Sequence, residues 1–325
     1  MKRREFIATV GAAAAMWPLA ARAQQPAMPV IGLLAPVLQN EELVRGFQQG
    51  LQRGGFVEGD NVSILYRSAD NEVDRLPALA IDLARRGVAV IVAVGQTAAF
   101  EAKNATATIP VLFAGAEDPV RVGLVASLAR PGGNLTGVNI LATELVAKRL
   151  ALLRELLPAA ARVAALVDPS AKTVAEPTLQ ALESAAHTMD LQIQVLNASN
   201  GKDIGAAFAA IERERPDALF VSIGTLFTSR RVQLATLATR YMVPMTSGNR
   251  QITEAGGLMS YGANITDAQR QLGVYAGRIL KGEKPADLPV VQATKFELVI
   301  NAETARMFGL TVPPSLLAIA DEVIE

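Results

Sequence analysis

The side chains that carry out covalent chemistry are nearly missing from this sequence. It contains no cysteine and a single histidine, His187. Thiolate nucleophiles, thiolate metal sites, iron–sulfur clusters and disulfides are thereby excluded. A multi-histidine metal site is impossible, and a Ser-His-Asp triad would have to use His187. That residue falls in a stretch of helical period, 173–189, where it reads as a surface or capping residue. No GxGxxG, GxxxxGK[ST], GxSxG or HExxH pattern occurs. The glycine-rich GGNLTG at 132–137 precedes a strand instead of opening a helix, so it reads as a turn. No cofactor and no metal is expected. What remains are carboxylates, hydroxyls and amides, which suit the holding of a small polar molecule.

Those groups gather where apolar runs end. Gln96, Thr97 and Ala98 follow the run VAVIVAVG (88–95) and open a helical segment. Unpaired backbone N–H groups and the helix dipole favour an anion there. Thr97 adds a donor to that site or serves as the helix N-cap; the two readings are compatible. Gly115, Ala116, Glu117 and Asp118 follow IPVLFAG (109–115). Asp118-Pro119 has the form of an N-cap followed by proline at the first helical position, which favours capping over ligand contact. Glu117 has no capping role and is the natural partner for a ligand amine. Residues 36–40, Asp168 with Ser170, Thr225, Ser247 and Tyr261 complete the set of strand-end candidates. Ser247 allows the same two readings as Thr97. Tyr261 either stacks on a ligand ring or is a buried hinge tyrosine. Phe100 and Phe227 read as core.

The elements that position these residues alternate regularly. Short apolar runs at 29–35, 62–67, 88–95, 109–115 and 134–140 predict strands, and segments at 41–54, 73–87, 97–106 and 118–132 predict helices. The runs are continuously apolar, as in parallel strands buried on both faces. The pattern restarts with a helical segment at 143–158, then strands at 161–168, 191–197, 217–224, 243–248 and 257–263, with helices at 173–189, 202–215 and 229–242 between them. LARRGVAVIVAVGQT (83–97) aligns with AIERERPDALFVSIGT (210–225), placing Gly95 opposite Gly224. The order of elements predicts two similar doubly wound α/β lobes. A helix at 267–282, a strand at 295–301 and a helical tail follow. The expected partition is 29–140 with 264–284 in the first lobe and 141–263 with 292–325 in the second. Crossings are expected near 140–143, 262–266 and 284–292. Three crossings restrict the lobes to opening and closing, and the ligand belongs in the cleft at the carboxyl ends of the strands.

Composition agrees with a binding protein. Half of the 325 residues are hydrophobic and 19% are charged, which describes a packed chain. Basic and acidic residues balance at 31 each, which argues against a nucleic-acid binder. Residues 1–23 read as an export signal: a basic Lys2-Arg3-Arg4, an apolar run over 7–20 and the small-x-small site Ala21-Arg22-Ala23. RREFI is similar to a twin-arginine signal, although an ordinary secretion signal can also carry two arginines. Cleavage leaves a soluble monomer outside the inner membrane, with 27 basic and 30 acidic residues.

Four segments carry a specific resemblance: KRREFI…WPLAARAQQ, ATIPVLFAG…DPVRVGLVASLARPGGNLTGV (107–138), EAGGLMSYGANITDAQRQLGVYAGRILKGEKPADLPV (254–290) and KFELVINAETARMFGLTVPPSLLAIADEVIE (295–325). Together they resemble the ABC transporter substrate-binding proteins related to tryptophan- and phenylalanine-binding proteins. The resemblance implies the type 1 periplasmic binding protein fold: two Rossmann-like lobes, a three-crossover hinge, and a small ligand closed between them. It implies an amino acid or aromatic carboxylate as ligand and an inner-membrane ABC permease as partner. The family's V-G-D-P-V loop is here Ala116-Glu117-Asp118-Pro119-Val120, and its N-P-A-N-P loop is Asp168-Pro169-Ser170-Ala171-Lys172. A periplasmic sensing subunit is the alternative. A hydrolase or racemase on an α/β scaffold ranks below both.

Overall fold

The computed structural model describes residues 28–37, 41–70, 72–140 and 142–325. Residues 1–23, expected to be an export signal, and part of the 36–40 segment lie outside the described residues. The first lobe is built from β1 (Val30–Ala35), α1 (Glu41–Arg53), β2 (Ser63–Ser68), α2 (Leu76–Arg85), β3 (Val90–Val94), α3 (Gln96–Ala105), β4 (Val111–Gly115) and β5 (Leu135–Asn139). The chain then enters the second lobe through α4 (Val146–Leu156), β6 (Arg162–Val167), α5 (Lys172–Thr188), β7 (Gln192–Asn197), α6 (Gly201–Glu214), β8 (Ala218–Val221), α7 (Thr225–Ser229), α8 (Arg231–Arg240), β9 (Met245–Ser247), α9 (Arg250–Glu254) and β10 (Met259–Ala263). It returns with α10 (Ile265–Leu280) and β11 (Val291–Gln292). It ends in the second lobe with β12 (Phe296–Asn301), α11 (Ala302–Met307), α12 (Pro314–Ile319) and β13 (Glu322–Ile324).

The first sheet is parallel throughout, in the order β11-β5-β4-β3-β1-β2. The second runs β13-β12-β10-β9-β8-β6-β7, parallel except where β12 lies antiparallel to β10. Within each lobe the first five strands take the same spatial order, 2-1-3-4-5, so the weak repeat in sequence is a repeat in topology. The apolar strands are buried on both faces, as their composition predicts. On β3, Val90 and Val92 pack toward α1 and α10, while Ile91 and Ala93 pack toward α2 and α3. On β6, Val163 and Ala165 face α4 and α5, while Ala164 and Leu166 face α6 and α8.

Helices α1 and α10 are in backbone contact. Gly46 and Gly50 on α1, with Gly54 just past its end, recur every four residues and lie on one face. Gly273 and Gly277 answer them on α10. A Cβ on Gly50 would collide with the Arg270 carbonyl oxygen, and one on Gly273 with the Phe47 carbonyl oxygen. The segment returning from the second lobe is thereby seated on the first.

Three expectations change. The helix over 118–132 does not form; the chain there makes a series of turns. Gly123 adopts a φ of 76°, and Pro131 removes a donor near the end of the segment. The third crossing falls at 293–295, past 284–292, because Val291 and Gln292 pair with Val138 and Asn139 of β5 in the first sheet. The tail is not helical to its end: β13 pairs with β12. Arg250 holds it there, reaching Glu297 of β12 at 3.1 Å and Glu322 of β13 at 2.6 Å.

Candidate functional site

The segments that follow the carboxyl ends of β4 and β6 meet, where Arg121 reaches the Thr173 carbonyl. At the carboxyl edge of each sheet the order 2-1-3 makes β1 and β3 diverge in the first lobe, and β6 and β8 in the second. Such switch points leave a crevice outside the strand ends. In the first lobe the crevice is an apolar hollow lined by Leu33, Ala35, Val37, Val44 and Val94. It is small, with a cavity volume of about 30 Å³, and it opens to solvent. Gln269 of α10 reaches it, and its buried Nε2 has no hydrogen-bond partner. Gln269 does not stand out in the sequence, because nothing local separates it from the other polar residues of α10.

Beside the hollow lies the start of α3. Gly95 occupies the N-cap position with a φ of 89° and no side-chain cap. Thr97 is therefore not the cap: it is an exposed residue of the first turn. Gln96 is the first helical residue, and both of its amide atoms are buried without a partner. Its Oε1 packs over Gly115, where a Cβ would approach it to 2.8 Å. The ends of β3 and β4 thus meet through the Gln96 amide. The Ala98 side chain is fully buried in the core under α3, so only its backbone faces the helix start.

The loop after β4 is held by the first crossing. Ile140 donates to the Gly115 carbonyl at 2.8 Å and Ala142 to that of Ala116 at 3.1 Å. Asp118 is exposed and accepts from the backbone N–H groups of Val120 and Arg121, closing a turn; with no helix after it, it is not the N-cap that its Pro neighbour suggests. Glu117 is different. It is 2% exposed, pairs with Arg121 at 3.1 Å through Oε2, and leaves Oε1 buried with no partner. Burial raises its carboxyl above the ordinary 4.5, opposed by hydrogen bonding to Thr173 and by the Arg121 charge.

Thr173 belongs to the second lobe, in the first turn of α5. Four residues later stands Pro177, inside the helix. Proline has no N–H, so the Thr173 carbonyl lacks its usual helical donor. Arg121 of the first lobe reaches that carbonyl at 3.5 Å. The two lobes therefore touch at a point that the proline leaves open. Pro177→Ala is expected to restore the helical bond and raise the melting temperature. It should also weaken ligand binding by about 0.5–1 kcal/mol, the value of one modest hydrogen bond. Paired thermal unfolding and calorimetry check this, and an unchanged affinity would break the link between Pro177 and closure.

Other second-lobe candidates are engaged locally. Asp168 accepts from the backbone N–H and the hydroxyl of Ser170, at 2.9 and 2.6 Å, closing a turn after β6. Ser247 is 1% exposed; its hydroxyl donates to the Asn249 carbonyl and accepts from the Asn249 N–H. Thr225 is exposed at the start of the five-residue α7. Phe227 is fully buried, as expected of core, and His187 is exposed on α5. The Tyr261 ring packs on the α4 side of the core, 6.4 Å from the Phe296 ring. The residue is half-buried, so both of its expected roles stay open. Its carbonyl accepts from Arg149, a fully desolvated guanidinium on α4 that the sequence does not distinguish from its basic neighbours.

Two repeated α/β lobes, crossed three times and bearing polar groups at their strand ends, define a two-lobe binding protein. A sequence profile described as ABC transporter substrate binding protein matches residues 36–324. The chain belongs to that family. The Tyrosine-binding protein of Clostridioides difficile (strain R20291) is 25% identical over 266 residues, 82% of this chain and 76% of the relative. An ABC domain in complex with L-Trp from Streptococcus pneumonia is 26% identical with a TM-score of 0.83, covering 91% of this chain and 99% of that one. A ligand-free, open structure of a substrate-binding protein with adhesive properties from Clostridium difficile is 24% identical at the same coverages, with a TM-score of 0.68. The fold is that of the type 1 periplasmic binding proteins, and these relatives are binding proteins, not enzymes. Among the described residues no helix is long and apolar enough to cross a membrane.

Proposed function

We propose that this protein captures an amino acid with an apolar or aromatic side chain between its lobes and delivers it to an inner-membrane ABC importer, after export directed by residues 1–23. One observation carries the reading: the buried, unpartnered Gln96 amide and Glu117 Oε1 stand at neighbouring strand ends beside an apolar hollow at the switch point. An α-amino acid matches that set. Its ammonium meets Glu117, its carboxylate meets the N–H groups at the start of α3, and its side chain lies toward the apolar residues that line the hollow. The tyrosine- and tryptophan-binding relatives support the ligand class. Contacts from both lobes exist only when the cleft is closed, so ligand shifts the population toward closure.

Thermal unfolding against the twenty amino acids is the test. L-tryptophan, L-tyrosine or L-phenylalanine should raise the melting temperature by mass action, and glycine and glutamate should not. No shift with any of them, or a shift only with sugars, overturns the reading. Thr97→Val probes the carboxylate end. Loss of one donor to a charged group should weaken binding by about 1.5–3 kcal/mol by calorimetry. Unchanged affinity in a folded variant would move the carboxylate away from α3.

A further inference from the structure

Among the described residues Arg149 is the largest fully buried side chain, 1% exposed. A buried guanidinium normally has a carboxylate beside it, because the cost of desolvating an unpaired charge is several kcal/mol. Among the described residues no acidic side chain pairs with Arg149. Its Nε donates to the Tyr261 carbonyl at 3.0 Å, and its plane lies 5.2 Å from the Phe220 ring. Its Nη2 is buried with no acceptor. Burial alone lowers its pKa to about 10, so it is charged at neutral pH.

Its position is as informative as its solitude. Arg149 lies in the first turns of α4, just after the first crossing. It bonds β10 two residues before that strand ends at the second crossing. Its Nη2 lies against Gly248, the residue after β9, where a Cβ would come within 2.5 Å. Gly262 of β10 touches the Gly248 backbone in turn. At this edge of the second lobe neither residue carries a side chain, and the charge lies directly against the strand-end backbone. The Thr246 hydroxyl, beside Phe220 in register across β8 and β9, is also buried without a partner.

Resting on the amino-acid reading above, we propose that Arg149 is the second lobe's specificity residue for a ligand carboxylate. Its uncompensated charge makes the closed cleft select an anion. The first lobe holds the carboxylate by N–H groups at the start of α3, and closure brings that negative charge toward Arg149. A neutral ligand of the same shape gains nothing from closure at this point. The cost of keeping Arg149 unpaired is then relieved only in the liganded, closed state, which couples ligand charge to lobe closure.

Calorimetry with L-tryptophan, L-tyrosine and their carboxamides tests this on wild type, Arg149→Met and Arg149→Lys. Wild type should prefer the carboxylate by about 100-fold or more, as expected for a desolvated charge contact. Arg149→Met should lose roughly tenfold or more of its carboxylate affinity and change less than about threefold for the carboxamide. Arg149→Lys should keep most of the preference. Arg149→Met should also melt no lower than wild type, since it removes an unpaired buried charge. Should Arg149→Met fail to fold, a wild-type carboxylate-to-carboxamide ratio near one still overturns the proposal. Equal ratios in wild type and Arg149→Met overturn it while leaving the amino-acid reading in place. Wild type that binds neither amino acid overturns that reading and this proposal with it.

Discussion

Glu117→Gln is expected to bind L-tryptophan or L-tyrosine at least ~30-fold more weakly than wild type, the effect of removing one charge from a desolvated pair at about 2–5 kcal/mol. The variant keeps the shape of the side chain and loses its charge. The deaminated analogue indole-3-propionate has no ammonium to meet Glu117, so its affinity should not fall with the substitution. Stability should move the other way. The folded pKa of Glu117 is raised above 4.5 by burial. An acid raised in this way contributes stability that is full below its unfolded pKa and lost as pH rises through the folded value. At neutral pH the ionised carboxylate is thus a cost to the ligand-free protein, and Glu117→Gln should melt higher. That advantage should fade as pH falls through the raised folded value toward 4.5, below which both side chains are neutral. Binding of the amino acid by wild type should weaken over the same descent, as Glu117 takes up a proton. Thermal unfolding and calorimetry across pH check both arms; equal affinity of wild type and variant for L-tryptophan would remove Glu117 from the site.

The sequence carries the architecture because burial on both faces leaves a mark on every strand. VIVAV and RVAALV can only be parallel strands sandwiched between helices, and their alternation with helical segments dictates two wound lobes. Topology that depends on distant partners is less visible. Val291 and Gln292 form a two-residue strand solely because β5 offers an edge, so no local pattern marks the third crossing. β13 depends on β12 and on Arg250, some seventy residues earlier in the chain. The helix predicted over 118–132 has the right apolar period, and Gly123 in left-handed geometry defeats it.

The site is legible to the same depth. Strand ends can be listed from sequence, so Gln96, Gly115 and Glu117 emerge as candidates. What each side chain does there is settled by its neighbours. Ser247, Asp168 and Ser170 spend their hydrogen bonds on their own turns. Thr97 yields the cap to Gly95, whose positive φ suits glycine. Arg149 sits among the basic residues of an amphipathic stretch, Lys148 and Arg154, and nothing in one sequence separates a buried guanidinium from an exposed one. Thr173 becomes an interlobe acceptor through its carbonyl, which side-chain chemistry never reveals. Only Pro177, four residues on, hints at it.

The same substitution placed at two helical glycines should have opposite signs. Gly205 lies on α6 with nothing within 4 Å of where its Cβ would stand, and its φ is not positive. Gly205→Ala should stabilise by roughly 0.5–1 kcal/mol, the helix propensity gained and the unfolded-state entropy removed. Gly50 lies on α1 with the same propensity to gain. Its Cβ would collide with the Arg270 carbonyl oxygen and stand 3.0 Å from the Gly273 Cα. Neither is the end of a flexible side chain, so relief requires the two helix axes to separate along a contact that includes Gly46, Gly54 and Gly277. Separation also exposes Leu51 and Leu272, now 1% and 0% exposed beneath the helices. The net loss for Gly50→Ala should reach roughly 3 kcal/mol or more, beyond ordinary overpacking because backbone is displaced. The damage should extend to ligand binding, since α10 carries Gln269 to the hollow. Denaturant unfolding of both variants decides the matter. A Gly50→Ala protein as stable as wild type would show that α1 and α10 are not held at backbone contact, and the seat of the returning segment would have to be sought elsewhere in the first lobe.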